Sequence, residues 1–305
     1  MAIRQNFGND AFTLRGYKLA SMLARHTPAP LAMGAAMVLG GPFSLGMRKQ
    51  RTMLERHLRR VNPTLHGFAL QQVVLRAFQS YARYYLETFR LPTISRQKIN
   101  AGFSVEGFSH IEQALQTGKG AILALPHLGG WEWAGRWLCE QGYPIAAVAE
   151  RLESAELYEW FLDIRTKMGF RMIPLDEHAG ISVQAALKEN RPVTLLCDRD
   201  ISRNGVRDGV EVEFFGERTT VPAGPAFFAL HTGASLIPVA TYFTRRADGH
   251  HAVVRPPLVV ERQGTLRDDV ARITQVLTSE MEVLIKRAPE QWHLFSPNWP
   301  SDPGY

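Results

Sequence analysis

The stretch Ala121-Ile-Leu-Ala-Leu-Pro-His127-Leu-Gly-Gly-Trp-Glu132 sets the expectations for the fold. An apolar run of strand type stops at Pro126, and a helical pattern begins near Glu132. The imidazole of His127 and the carboxylate of Glu132 are therefore expected at one strand-to-helix turn. In open α/β sheets, ligands bind beyond the carboxyl ends of the strands. The stretch thus predicts a strand–helix unit with a functional site at its end.

His127 and Glu132 have the chemistry of a general base with an orienting carboxylate. Imidazole exchanges a proton near neutral pH, and a carboxylate behind it can fix its tautomer. Gly129 and Gly130 allow a tight reversal of the chain, and the N–H groups near them and at the helix start are candidates for holding an anion. No serine or cysteine lies beside the pair, so we expect no covalent intermediate. The alternative is a loop histidine followed by a glutamate that only favours the helix dipole.

From about residue 102 onward, strand patterns alternate with helix patterns. Strands are predicted over 103–105, 121–125, 145–149, 171–173, 193–197, 210–215, 235–243 and 252–260, and helices over 109–118, 131–141, 154–168, 181–189, 222–231 and 266–287. Such alternation is typical of a largely parallel sheet covered on both faces. We therefore predict an α/β fold with a mostly parallel, twisted central sheet flanked by helices, and a first region over 1–100 followed by a core over 101–305.

The first 60 residues are basic and predominantly helical. They hold ten lysines and arginines against two acidic residues, a formal charge of +8, which leaves −2 for the rest of a chain whose total is +6. The apolar run 31–39 within them is shorter than the roughly 20 residues of a membrane span. An interfacial attachment to an anionic membrane surface is therefore predicted. The alternative is an ordinary helical subdomain with a solvated basic face. Nucleic acid is not expected, because the segment has no recognition motif or aromatic platform.

Composition and motif searches exclude several classes of protein. The chain has 305 residues, of which 45% are hydrophobic. Cys139 and Cys197 are far apart, which argues against a disulfide framework and for a reducing compartment. No G-x-S-x-G, Walker A, dinucleotide or H-E-x-x-H motif occurs. The His250-His251 pair is predicted to lie in a solvent-facing turn rather than at a metal, and we expect neither a metal nor a cofactor.

Polar residues follow other predicted strands and complete the candidate site. Asp198 and Asp200 follow the strand over 193–197, where they would hold a hydroxylated substrate or orient a cation, or else form a solvated turn. Glu150 and Arg151 follow the strand over 145–149 and are further candidates for binding the substrate. Arg165, on the next helix, is a candidate for binding phosphate or fixing a carboxylate of the site, or a salt-bridged structural residue.

At this point the sequence resembles a known family, the bacterial lipid A biosynthesis acyltransferases, within the wider glycerolipid acyltransferases. The resemblance extends from about residue 70 to 295. It rests on four blocks: Pro126-His-Leu-Gly-Gly-Trp-Glu132, Asp198-Arg-Asp200, Glu213-Phe-Phe-Gly216 and Ala288-Pro-Glu-Gln-Trp292. In the tail, His293-Leu-Phe-Ser-Pro-Asn-Trp299 replaces the arginine-containing run of the lipid A enzymes. The sequences of the tail and of the segment around His127 are similar to those of the actinobacterial branch, the phosphatidylinositol mannoside acyltransferases.

The resemblance implies palmitoyl transfer from acyl-CoA to a mannose hydroxyl of a phosphatidylinositol mannoside, at the cytoplasmic face of the inner membrane. His127 would be the general base and Glu132 its orienting partner, with direct transfer to the acceptor. The alternatives are a lipid A or glycerophospholipid acceptor, or a non-catalytic lipid-binding protein on the same fold. The aromatic, Pro-rich tail over 288–300 would pack back on the body or border a site for an apolar chain.

Overall fold

A central β-sheet with helices on both faces forms the body of the chain. The computed structural model describes residues 10–152, 154–199 and 209–305, and the predicted binding residue Asp200 lies outside them. The strands are β1 (Phe103–Glu106), β2 (Ala121–Leu125), β3 (Ala146–Ala149), β4 (Arg171–Pro174), β5 (Pro192–Leu196), β6 (Gly209–Phe214), β7 (Glu217–Pro222), β8 (Ser235–Phe243) and β9 (His250–Val254). The helices are α1 (Asp10–His26), α2 (Ala29–Gly46), α3 (Arg48–Val61), α4 (Gly67–Arg90), α5 (Arg96–Ala101), α6 (Ser109–Gln116), α7 (Trp131–Glu140), α8 (Ala155–Lys167), α9 (Ala179–Lys188), α10 (Gly224–Thr232) and α11 (Leu266–Lys286).

The main sheet has the strand order β1-β9-β8-β2-β5-β3-β4. Neighbouring strands pair in parallel, except that β9 is antiparallel to β8. The crossovers between parallel strands are helices, which cover both faces. The predicted α/β class with a mostly parallel sheet is therefore confirmed.

The strand β2 lies at the centre of the core, and its side chains alternate between two hydrophobic clusters. Ile122 and Ala124 pack with residues of α9, α10 and α11. Leu123 and Leu125 point the other way and pack with residues of α6, α7 and α8. This two-residue period is the geometry of a strand, and here both faces are apolar because helices cover both. The continuous apolar run in the sequence follows from that double burial.

Two strand predictions differ from the structure. The strand predicted over 252–260 ends at Val254, because Pro256 and Pro257 lack the N–H groups that would continue the ladder. The strand β7 was not predicted; it pairs with β6 in an antiparallel hairpin separate from the main sheet. The hairpin turn uses Phe215 and Gly216, both with positive φ. Glycine favours such a turn, but Phe215 hides the usual two-residue signal.

The helix α4 joins the N-terminal region to the sheet through buried polar contacts. Glu87 accepts from Arg83 Nε at 2.7 Å and pairs with His250 Nε2 at 2.7 Å. His250 lies in β9, is buried, and stacks on Trp133 with ring centroids 4.3 Å apart. The prediction of a solvent-facing turn at His250 is therefore wrong. The division of the chain near residue 100 stays a prediction, and α4 packs tightly against the residues beyond it.

The helix α3 holds the end of the chain through a cluster of charges. Arg60 Nη2 lies 2.7 Å from Asp302 Oδ1, and the Arg60 guanidinium lies over the Trp299 ring, 4.3 Å from its centroid. Arg56 Nε is 3.3 Å from the same carboxylate. Part of the basic charge of the N-terminal region is thus paired with the tail. The tail packs back on the body, as one of the two predictions for it states.

The helix α2 has the length and composition of a membrane-crossing helix. It extends over 18 residues, and 24% of them are buried. The apolar run over 31–39 was predicted to be too short for a span, but the helix continues on both sides of it. Proline is tolerated at Pro30 in the first turn, and the chain remains helical through Pro42. Along its length α2 packs against α4, where Gln79 Nε2 donates to the Met37 carbonyl oxygen at 2.9 Å.

Candidate active site

The register of β2 and β5 brings His127 and Asp198 together. Leu125, the last residue of β2, lies opposite Leu196, the last residue of β5. Two residues beyond each strand end, His127 Nδ1 is 2.6 Å from Asp198 Oδ1. The backbone N–H of His127 donates to Asp198 Oδ2 at 2.9 Å. The carboxylate thus receives Nδ1–H, which leaves Nε2 as the unprotonated nitrogen of the ring.

The tail of the chain also contacts His127 and Asp198. Trp292 Nε1 donates to Asp198 Oδ2 at 2.6 Å. The tail backbone also pairs with the loop after β2: His293 N donates to the His127 carbonyl at 2.7 Å, and Gly129 N donates to the Gln291 carbonyl at 2.9 Å. The loop that carries His127 is therefore held between β5 and the tail.

Glu132 is held by a different partner from the one predicted. Its Oε1 accepts from Arg165 Nε at 2.8 Å and lies 2.7 Å from Arg165 Nη2, and Tyr84 donates to it at 3.4 Å. Asp198, and not Glu132, is the carboxylate on Nδ1 of His127. Glu132 lies in the first turn of α7, where its charge favours the helix dipole and pairs with α8. The Arg165 side chain thus holds the carboxylate of Glu132, which agrees both with the prediction that it fixes a carboxylate of the site and with the alternative of a salt-bridged structural residue.

The two glycines after His127 have different surroundings. Gly129 has φ of +58°, and a Cβ there would collide with the Thr241 carbonyl oxygen. Its N–H is used by Gln291, so Gly129 itself is not an anion donor. Among the described residues, none accepts a hydrogen bond from the N–H groups of Gly130, Trp131 and Glu132 at the start of α7. These donors, with the positive end of the helix dipole, suit an anion, and the predicted anion site at this turn stays a prediction.

Burial and charge set the protonation of the site. Burial lowers the pKa of His127 below its ordinary value, against the opposing effect of Asp198, and nearby Arg199 lowers it further. The imidazole is therefore neutral at pH 7. Burial alone would raise the pKa of Asp198, but His127 and the Trp292 hydrogen bond outweigh burial, so the pKa is lowered and the carboxylate is ionised. His293 is buried with a pKa of about 3, chiefly through desolvation, and is neutral too.

The remaining predicted site residues divide into two groups. Glu150 contacts Arg199, the residue after Asp198, and so lies at the edge of the site. Arg151 is largely exposed and pairs with Asp176 at 3.3 Å, away from His127. The prediction for Asp200 falls on residues that the structure does not describe.

The comparisons with known proteins identify the family. The family model for bacterial lipid A biosynthesis acyltransferases matches residues 17–301. The chain belongs to this family. It is an acyltransferase, and the predicted resemblance is confirmed.

Individual relatives add detail. The acyltransferase is 37% identical over 291 residues to a phosphatidylinositol mannoside acyltransferase of Mycolicibacterium smegmatis, covering 94% of this chain and 91% of that protein. It is 40% identical over 231 residues to the phosphatidylinositol mannoside acyltransferase of Mycobacterium tuberculosis, covering 74% and 70%. A lipid A biosynthesis acyltransferase of Haemophilus influenzae is 25% identical over 252 residues, covering 80% and 74%.

Reasoning from the sequence missed two features of the site. The pairing of Asp198 with His127 depends on β5 lying beside β2, and Trp292 reaches the site from the tail. The pairing of Asp198 with His127 had a signal in the sequence, because both residues come just after a predicted apolar strand. For the contact from Trp292, the only signal was that this tryptophan belongs to a motif of the family.

Proposed function

We propose that this acyltransferase transfers a long-chain acyl group, palmitoyl, from acyl-CoA to a mannose hydroxyl of a phosphatidylinositol mannoside. The names and identities of the two mycobacterial relatives support this acceptor. The lipid A relative is more distant. The replacement of the arginine-containing run by residues 293–299 also argues against a lipid A acceptor. The single observation that carries the chemistry is the hydrogen bond from His127 Nδ1 to buried Asp198, which leaves Nε2 as a base.

His127 activates the acceptor in this proposal. A sugar hydroxyl is a weak nucleophile and needs a base in the transition state. Nε2 takes the hydroxyl proton while the oxygen attacks the thioester carbonyl. When the tetrahedral intermediate collapses, the carbon–sulfur bond breaks and the protonated imidazole returns the proton to the departing thiolate. Asp198 stabilises the imidazolium and fixes the tautomer, as the carboxylate of a catalytic triad does.

The start of α7 supplies the charge stabilisation. The N–H groups of Gly130, Trp131 and Glu132 are the donors that suit an oxyanion on the thioester carbon. Glu132 and Arg165 hold this first turn against α8, with Nε of Arg165 at 2.8 Å from the carboxylate. In this proposal Glu132 acts by fixing the turn and not by contacting the imidazole.

The surroundings of Cys197, the residue before Asp198, support direct transfer without an acyl-enzyme intermediate. Cys197 is buried, its Sγ points to the Leu125 carbonyl oxygen at 3.8 Å, and burial raises its thiol pKa far above the ordinary value. A thiol in that state is a poor nucleophile. The acceptor hydroxyl therefore remains the nucleophile.

The N-terminal helices form the proposed membrane surface, at the cytoplasmic face of the inner membrane and in peripheral attachment. Exposed apolar side chains lie on α1 and α2: Leu19, Met22, Leu23, Leu31, Met37, Val38, Leu39 and Leu45. Arg15 and Lys18 on α1 are exposed beside them. Apolar side chains in the acyl boundary with cations at the headgroups are the pattern of interfacial attachment.

The test is product analysis with purified protein. Palmitoyl-CoA is supplied with a phosphatidylinositol mannoside, lipid A precursor or glycerophospholipid, and products are identified by mass spectrometry. Palmitoylated mannoside from the native protein and none from His127→Ala is the expected result. Equal transfer by His127→Ala, or transfer only to the other acceptors, refutes the proposal. Cosedimentation with anionic liposomes, reduced in an Arg15→Glu, Lys18→Glu variant, tests the membrane surface separately.

A further inference from the structure

Trp292 and His127 bind the same carboxylate. Asp198 Oδ1 accepts from His127 Nδ1, while Oδ2 accepts both the His127 backbone N–H at 2.9 Å and Trp292 Nε1–H at 2.6 Å. Asp198 and Trp292 are each 1% exposed. Water therefore has no open access to replace a missing donor. The three donors together fix the orientation of the carboxylate, and Trp292 supplies the one that does not come from His127 itself.

We propose that Trp292 is a positioning residue of the transfer reaction. Its indole N–H fixes Asp198, and Asp198 in turn sets the ring orientation and the basicity of His127. This inference rests on the proposed function, because it takes His127 as the base. Trp292 itself does not contact the reacting atoms.

The backbone presents the indole rigidly. Leu128 and Trp292 form an antiparallel bridge, flanked by hydrogen bonds from His293 N to the His127 carbonyl and from Gly129 N to the Gln291 carbonyl. The tail backbone therefore pairs with the loop that carries His127 on both sides of Trp292. Because the backbone is hydrogen-bonded on both sides of Trp292, its indole N–H cannot follow a rotation of the Asp198 carboxylate. The N–H therefore fixes the plane of that carboxylate.

Phenylalanine at this position keeps an aromatic ring and removes only the donor and part of the volume. Oδ2 then has one donor fewer, so its charge is less compensated and it stabilises the imidazolium of His127 more strongly. We expect the acidic limb of the kcat/KM profile to move upward by about one pH unit in Trp292→Phe. We also expect kcat at the optimum to fall about tenfold, because the carboxylate then keeps only the two donors of His127 and is held less firmly.

Within the described part of the chain, the other groups that titrate or carry charge around the pair are not changed by this substitution. They are Cys197 and Arg199 beside Asp198 and His293 in the tail. A shift in the profile can therefore be assigned to the lost indole donor.

Trp299 offers a matched control. It lies in the same tail, is fully buried, and donates through Nε1 to the Phe214 carbonyl oxygen at 3.1 Å, not to Asp198. Trp299→Phe therefore removes one buried indole donor and a similar volume. A purely structural loss lowers the folded fraction in both variants but leaves the pH profile of the folded enzyme unchanged.

The experiment compares kcat, KM and the pH profile of the two variants at equal folded fraction. An upward shift of the acidic limb in Trp292→Phe alone supports the inference. Equal profiles in the two variants overturn it, whatever the loss of activity. This result can be separated from the proposed function. An active His127→Ala variant refutes the proposed function. If His127→Ala is inactive and the pH profile of Trp292→Phe is unshifted, only the role of Trp292 is refuted.

A measurement on the unmodified protein covers the case in which Trp292→Phe does not fold. The indole Nε1–H resonance of Trp292 should shift with pH at the midpoint that the activity profile gives for His127, and that of Trp299 should not. A Trp292 resonance that does not follow this midpoint overturns the inference.

Discussion

Asparagine at position 198 would preserve the shape of the Asp198 side chain while removing its charge. Two N–H groups point at Oδ2, from the His127 backbone and from Trp292, at 2.9 and 2.6 Å. The amide oxygen of the variant must therefore occupy the Oδ2 position, since an NH2 group there would face two donors. The NH2 group then faces Nδ1 of His127, which must accept and lose its hydrogen. The proton moves to Nε2, and the nitrogen that should act as base is blocked.

The expected size of this effect follows from the known cost of a wrong histidine tautomer. In the serine protease triad, the same Asp-to-Asn change lowers kcat about 10⁴-fold. We expect Asp198→Asn to lower kcat by about 10³- to 10⁴-fold with a small change in KM, measured by steady-state transfer from acyl-CoA. Asp269→Asn is the matched control, because Asp269 is equally buried and also accepts backbone N–H groups, but lies at the start of α11. A kcat for Asp198→Asn within tenfold of the native value would refute the tautomer argument.

Three further predictions concern the surroundings of the base. Glu132→Gln should destabilise the fold by about 2–4 kcal/mol, because it leaves the largely buried guanidinium of Arg165 without its charge partner, as chemical denaturation would measure. Gly129→Ala should cost more than about 2 kcal/mol and most of the activity, since the φ is positive and the new Cβ meets a carbonyl oxygen. The kcat/KM profile of the native enzyme should have its acidic limb below pH 6.5, because burial lowers the pKa of His127 and the neutral base persists to lower pH.

Each of these predictions has a control or a contradicting outcome. Arg96→Ala breaks a pair with Glu140 in which the Arg96 side chain is 68% exposed, so its effect should stay below about 1 kcal/mol. Gly118→Ala also places alanine at a positive φ but meets open space, so it should cost about 1 kcal/mol. Equal costs for Gly118→Ala and Gly129→Ala would contradict the steric argument. An acidic limb above pH 6.5 would contradict the burial argument for His127.

Most of the fold could be predicted from local patterns. The alternating strand and helix signals locate the strands β1 to β5 and their crossover helices to within two residues, because apolar period and turn residues act locally. The hairpin partner β7 was missed, since its sequence is polar and Phe215 occupies a turn position that usually carries glycine or asparagine. The end of β9 was misjudged because apolar residues continue past the two prolines.

The site was predicted in its position but not in its pairing. The sequence places His127 and Asp198 each just beyond a predicted apolar strand, and the parallel sheet brings such ends to one edge. It does not give the strand order, and β5 lies beside β2 although β3 and β4 separate them along the chain. The five-residue spacing from His127 to Glu132 made the nearer carboxylate the natural candidate. The contact that replaces it joins residues 71 apart, and the one from Trp292 joins residues 94 apart.

The contact between α2 and α4 bears on where the acceptor lipid meets the enzyme. Gln79 of α4 contacts α2, and the next residue, Ser80, lies on a different face of the same helix, 2.9 Å from His293 Nε2. The helix α4 thus links α2 to the tail residue next to Trp292. With a lipid layer along α2, a glycolipid would present its headgroup to the site while its acyl tails stay in the leaflet. Desorption of the acceptor into water would then not belong to the reaction cycle, and turnover would depend on acceptor density in the surface rather than on its bulk concentration.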